Sequence, residues 1–89
     1  MDAAEFRANG HRLIEWIIDY HERLDALPVQ SAVEPGEVAA LLPERPGAPD
    51  GFDAVLADLD RVVVPGLTNW QHPGFFAWFP ANTAYPAIL

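Results

Sequence analysis

The chain has 89 residues, with thirteen acidic against five basic side chains and a net charge of −8, a balance that repels phosphate backbones and anionic lipid heads and argues against nucleic-acid or membrane partners. A chain this short buries only about 60–65% of its unfolded surface, enough for a modest helical core but not for a full active site plus a cofactor domain. There is no cysteine, so no disulfide framework or thiolate metal site can be built, and every basic residue is an arginine, with no lysine anywhere.

The start, Met1-Asp2-Ala3-Ala4-Glu5, lacks the basic region and apolar run of a secretory signal. Together with a tail broken by prolines and glycines this makes a soluble cytoplasmic protein the expected class. Asp2 and Glu5 have the spacing of a capping box. Phe6, Leu13, Ile17, Tyr20, Leu24 and Leu27 then recur at helical spacing, predicting a first helix over about 2–27 that Pro28 ends. Ile14, Trp16 and Ile18 widen its apolar stripe beyond what a lone surface helix needs. A second, two-turn helix is expected over about 35–42, with Pro35 in its first turn and Pro43 closing it. Residues 44–50, with Pro46, Gly47 and Pro49, read as an exposed connector. Asp50 is placed to cap a third helix over about 51–64, whose apolar face is Phe52, Val55, Leu56, Leu59, Val62 and Val63, stopped by Pro65-Gly66.

At about residue 65 the composition changes from charged amphipathic helix to uncharged aromatic loop. From Val62 to Leu89 there is no charged side chain, and six aromatics fall between Trp70 and Tyr85. Leaving these exposed forgoes on the order of 15 kcal/mol of burial, so a core, a partner or a ligand should cover them. The last residues, with Thr83 as cap and Pro86 in the first turn, look like a helix start. One turn is not stable alone, which suggests a chain cut from a longer protein.

The remaining candidates for chemistry are few. His11 and His21 lie ten apart on the first helix and His72 is in the tail, so they form no metal constellation. The acid pairs Asp58/Asp60 and Glu34/Glu37 read as solvated faces and caps. No Gly-rich phosphate loop, serine elbow or His-Glu zinc pattern occurs. The expected catalytic, cofactor-binding and metal-ligating residues of this chain are therefore none.

The aromatic run is the exception. The order Trp70, His72-Pro73, Phe75-Phe76-Ala77-Trp78-Phe79-Pro80 and Tyr85-Pro86-Ala87-Ile88-Leu89 closely resembles the pyridoxal-phosphate-dependent aromatic-L-amino-acid decarboxylases, the group II decarboxylase family. So do Glu34-Pro35-Gly36, Leu41-Leu42-Pro43 and Val64-Pro65-Gly66-Leu67-Thr68. The resemblance covers the whole chain but only the opening part of such an enzyme. It implies an all-α segment of three helices, an aromatic loop and the start of a fourth helix. Residues 1–64 would clasp the partner subunit of a homodimer, and residues 65–89 would carry the substrate-pocket loop of a full-length α/β enzyme of fold type I.

Carried over, Trp70, Trp78, Phe79, Pro80 and Ala81 would bind the ring of an aromatic amino acid that is decarboxylated to its amine and carbon dioxide. Trp78 stands where the family often has tyrosine, and Ala81 where some members have threonine. Family members hold pyridoxal phosphate covalently on a lysine, so this chain alone, lacking lysine, should bind no cofactor and be inactive. The competing reading is a stand-alone acidic helical module for protein interaction or dimerisation.

Overall fold

The computed structural model describes residues 1–78 and 83–89, and their elements are all helical, with no strand among them. Helix α1 (Ala3–Glu22) starts on the capping box. The Asp2 carboxylate accepts from the N–H groups of Ala4 and Glu5, and the Asp2 N–H donates to Glu5 Oε2, each at 2.8 Å. Three donors that a helix start leaves orphaned are thereby satisfied.

The α-helix stops at Glu22, short of the predicted residue 27. Pro28 pushes Leu27 into extended backbone (φ −81°, ψ 155°). The intervening residues tighten into a 3₁₀ turn, Leu24–Ala26, in which Ala26 bonds back to Arg23 and Leu27 to Leu24. Helix α2 (Glu37–Ala40) is also shorter than the predicted 35–42, because Gly36 takes the left-handed conformation at φ 92° and leaves Pro35 outside the helix. Glu37 folds back to accept from the Glu34 N–H at 2.7 Å.

Helix α3 (Phe52–Asp58) begins after Gly51, which is its cap residue and supplies no side-chain bond. Asp50 is therefore one position too early to cap, contrary to the expectation. The helix continues without a break through a wide π turn, Leu59–Val63, into the short α4 (Val64–Gly66), ending two residues beyond the predicted 64. Pro65 has no N–H to return to a carbonyl four residues back, and the ladder widens just before it. Helix α5 (Tyr85–Ile88) is preceded by Ala84, not Thr83, at the cap position, with Pro86 in the first turn.

Polar bonds join α1 to the third helix. Arg12 pairs with Asp53, Arg23 with Asp60 Oδ1, and Trp16 Nε1 donates to Asp60 Oδ2 at 3.0 Å. Asp60 is thus an interhelical tie that keeps the solvent exposure expected from sequence, whereas Asp58 pairs locally with Arg61. The Ser31 hydroxyl donates to the Pro65 carbonyl at 2.8 Å. Very little is enclosed by these contacts. Among the described residues only Leu24, Val62 and Asn69 are buried, and Phe6, Leu13, Ile14, Val55 and Val63 of the predicted apolar faces are exposed.

Candidate functional site

The segment after α4 runs back across the 3₁₀ turn and is fastened there by two polar side chains. Asn69 is the most buried described residue, at 2% exposure. Its backbone N–H donates to the Val29 carbonyl at 2.8 Å, its Nδ2 donates to the Pro28 carbonyl at 2.7 Å, and its Oδ1 accepts from the Tyr20 hydroxyl at 2.6 Å. With a donor on one side and an acceptor on the other, the amide has only one satisfactory orientation. Burial pushes the Tyr20 hydroxyl pKa upward against the opposing pull of Arg23, which keeps the hydroxyl a donor.

His72 supplies the second fastening. Its backbone N–H donates to the Asn69 carbonyl at 3.0 Å, and its ring Nδ1 accepts from the Gly74 N–H at 2.8 Å. The other ring nitrogen, Nε2, lies 3.2 Å from the Asp25 carbonyl. An Nδ1 that accepts leaves the proton on Nε2, so the neutral ring donates to Asp25 and bridges the loop to the 3₁₀ turn. Gly74 allows the ring to come close, since a Cβ there would lie 3.1 Å from Nδ1 and 3.3 Å from Val29 Cγ2.

Around this anchor the aromatic side chains meet edge to face. The Trp70 and Trp78 centroids are 5.6 Å apart at 85°, and those of Phe75 and Trp78 are 4.8 Å apart at 77°. These are the geometries that the ring quadrupoles favour. Beside them opens a cleft of about 300 Å³ bordered by Val29, Gln30, Thr68, Phe75, Ala77 and Trp78. Trp70 and Trp78 remain about half exposed, at 52% and 54%. Such a surface can receive a flat apolar ring by burial, and none of the aromatic side chains that form it transfers a proton.

Of the five residues assigned to substrate binding from sequence, Trp70 and Trp78 are therefore brought into contact, while Phe79, Pro80 and Ala81 lie outside the described residues. Sequence reasoning missed Tyr20, Asn69 and His72 as organisers of the loop. Their only signal was polarity within apolar surroundings. His21 also differs from its expected solvated role, packing its ring edge to face against Tyr20 and Tyr85 at 5.5 and 5.7 Å. Next to it a second, apolar cavity of about 400 Å³ lies between α1 and α5, lined mainly by Ile14, Ile17, Ile18, Tyr85 and Ile88.

Fold and site together define an acidic helical segment that displays a half-exposed aromatic surface and encloses little of its own. No protein-family model matches the chain, but individual proteins do along all of it. It is 39% identical over 90 residues to the aromatic-L-amino-acid decarboxylase of Rattus norvegicus and 41% identical over 90 residues to the phenylacetaldehyde synthase of Petunia hybrida. All of this chain is covered in both, against 19% and 18% of those proteins.

Among solved structures, the tryptophan decarboxylase of Catharanthus roseus in complex with L-tryptophan superposes with a TM-score of 0.89 at 37% identity, and that of Oryza sativa with PLP at 0.90 and 34%. Each match covers 99% of this chain and 19% of the other. The chain is a homologue, along its whole length, of the N-terminal segment of the aromatic-L-amino-acid decarboxylases of the pyridoxal-phosphate-dependent group II family. It spans about a fifth of the length of these relatives.

The side chains present do not fit that cofactor. There is no lysine to attach it. Three of the five arginines, Arg12, Arg23 and Arg61, are already paired with Asp53, Asp60 and Asp58, and both ring nitrogens of His72 are engaged.

Proposed function

We propose that this chain is the N-terminal part of a soluble, cytoplasmic enzyme that converts an aromatic L-amino acid to the corresponding amine and carbon dioxide. Residues 1–64 grip the partner subunit of a homodimer, and residues 65–89 wall the substrate pocket, with Trp70, Trp78, Phe79, Pro80 and Ala81 against the substrate ring. Pyridoxal phosphate would be held by residues elsewhere in the full-length protein and would supply the electron sink for decarboxylation. The contribution of this chain is to select and orient a flat apolar side chain by ring burial and edge-to-face contact.

The observation that carries the proposal is the pairing of whole-length homology with an aromatic cluster left open beside a cleft. A folded interaction module accounts for the exposed apolar surface equally well but gives no reason for the homology. Incubating the full-length protein with L-tyrosine, L-tryptophan or L-dihydroxyphenylalanine should release amine and carbon dioxide. Inactivity toward all three with cofactor bound would overturn the reading. A second reading, conversion to an aldehyde, is favoured by the 41% identity to a phenylacetaldehyde synthase. Measuring amine against aldehyde in the same reaction separates the two.

A further inference from the structure

We propose that Asn69 and His72 are positioning residues that fix the angle between Trp70 and Trp78, and with it the fit of the aromatic cleft; this rests on the pocket-wall reading above. Both side chains lie within the aromatic loop and bond to the turn that comes after α1, Asn69 also to Tyr20 on α1 itself. With the Asn69 backbone counted, they attach the loop to the carbonyls of Asp25, Pro28 and Val29 through three bonds of 2.7–3.2 Å, and Asn69 Oδ1 accepts a fourth, of 2.6 Å, from the Tyr20 hydroxyl. Trp70 is the next residue after Asn69, and Phe75 bonds back to the His72 carbonyl at 3.0 Å. Val29 and Thr68, on either side of this anchor, border the cleft that Phe75 and Trp78 also line. Loss of the anchor leaves the rings attached to the backbone but free to change their mutual angle.

His72 makes two separable contacts, and amide side chains can divide them. The Oδ1 of asparagine occupies the place of Nδ1 and retains the bond from Gly74, an Asx turn, but cannot reach Asp25. The terminal NH₂ of glutamine reaches the place of Nε2 and retains the tether to Asp25. The tether is the positioning element, so His72→Asn should fail where His72→Gln succeeds. In the full-length protein labelled with 5-fluorotryptophan, with resonances assigned by single Trp→Phe substitutions, His72→Asn should shift or average the ¹⁹F signals of Trp70 and Trp78. His72→Gln should leave them near their wild-type positions. The KM for L-tryptophan should rise about tenfold in His72→Asn, the scale of one lost hydrogen bond, with kcat within about twofold, as expected for lost ground-state binding. Tyr20→Phe, which keeps the ring and removes one bond, should move the same signals by less.

Unchanged Trp70 and Trp78 signals in His72→Asn would overturn the proposal. So would equal losses in both His72 variants accompanied by a fall in melting temperature, which would make the residue merely structural. If the wild-type enzyme forms neither amine nor aldehyde, the pocket-wall reading fails by itself, and the ¹⁹F signals still decide whether the anchor orients the rings.

Discussion

Removing this chain from any covering protein should leave it unable to fold as a monomer. A compact monomer of 9.8 kDa should expose about 5,200 Å², whereas the structure exposes 7052 Å². The radius of gyration is 15.3 Å, against about 12 Å for a compact domain of this length. The surplus surface is therefore about 1,900 Å², more than twice what one partner contributes to an interface of ordinary size. With about 57% of it apolar and about 25 cal/mol per Å², the forgone burial is on the order of 25 kcal/mol. That exceeds the whole stability of an ordinary domain, about 5–15 kcal/mol. Sedimentation velocity, near-UV circular dichroism and urea titration of the isolated 89 residues at low micromolar concentration test this. The expected result is no cooperative transition, weak near-UV signal and self-association as concentration rises. A monomer with a sharp urea transition and ordered aromatic signals would refute the reasoning.

Other outcomes concern single side chains in the full-length protein. Asp2→Ala removes the capping box and should cost the start of α1 about 1 kcal/mol, read as faster amide exchange over its first turn. The hydrogen bond from Arg23, aided by that from Trp16, holds the Asp60 carboxyl below the usual carboxylate range. Because its folded pKa is depressed, its stabilisation is present above the unfolded value of about 3.9 and is lost as pH falls through the lowered one. Acid titration tracked by Trp16 fluorescence should therefore show a local transition that Asp60→Asn lacks. With both partners nearly half exposed, its size should not exceed about 1 kcal/mol. Trp78→Ala deletes two edge-to-face pairs worth about 0.5–1.5 kcal/mol each. It should raise the KM for aromatic substrates while leaving cofactor absorbance intact; equal loss of both would make the residue structural. Gly36→Ala should destabilise α2 by about 1 kcal/mol, since φ 92° is strained for any side chain, and exchange at the α2 amides reports it.

Local signals carry well from sequence to structure and distant ones do not. The start of α1 is legible because Asp2 and Glu5 are three residues apart and satisfy donors within the same turn. Its end is not, because the apolar spacing runs on through Leu24 and Leu27, while Pro28 acts on the backbone before it. Asp50 has a capping side chain, yet the backbone of Gly51 sets where α3 begins. The π turn has no periodic signature, since one wide turn changes the spacing only once. At the site, Trp70 and Trp78 announce themselves by size. Asn69 and His72 do not, because their partners Pro28, Tyr20 and Asp25 lie 41, 49 and 47 residues away in sequence.

The continuous helix from Phe52 through the wide turn at Leu59–Val63 to Gly66 makes this part of the molecule sensitive to length change. One residue can be lost from the wide turn, which then closes to an ordinary α turn, but deleting one from the regular turns of α3 would rotate everything downstream by about 100° around the helix axis. The Pro65 carbonyl would swing away from Ser31, and Asn69 from the Val29 carbonyl it meets at 2.8 Å. A deletion in the connector at 44–50 has no such lever, because that stretch is exposed throughout and transmits no helical phase to α3. Helical phase thus fixes the residue count within Phe52–Asp58 far more tightly than the count between Leu42 and Gly51, and the wide turn is the place where one residue can be lost.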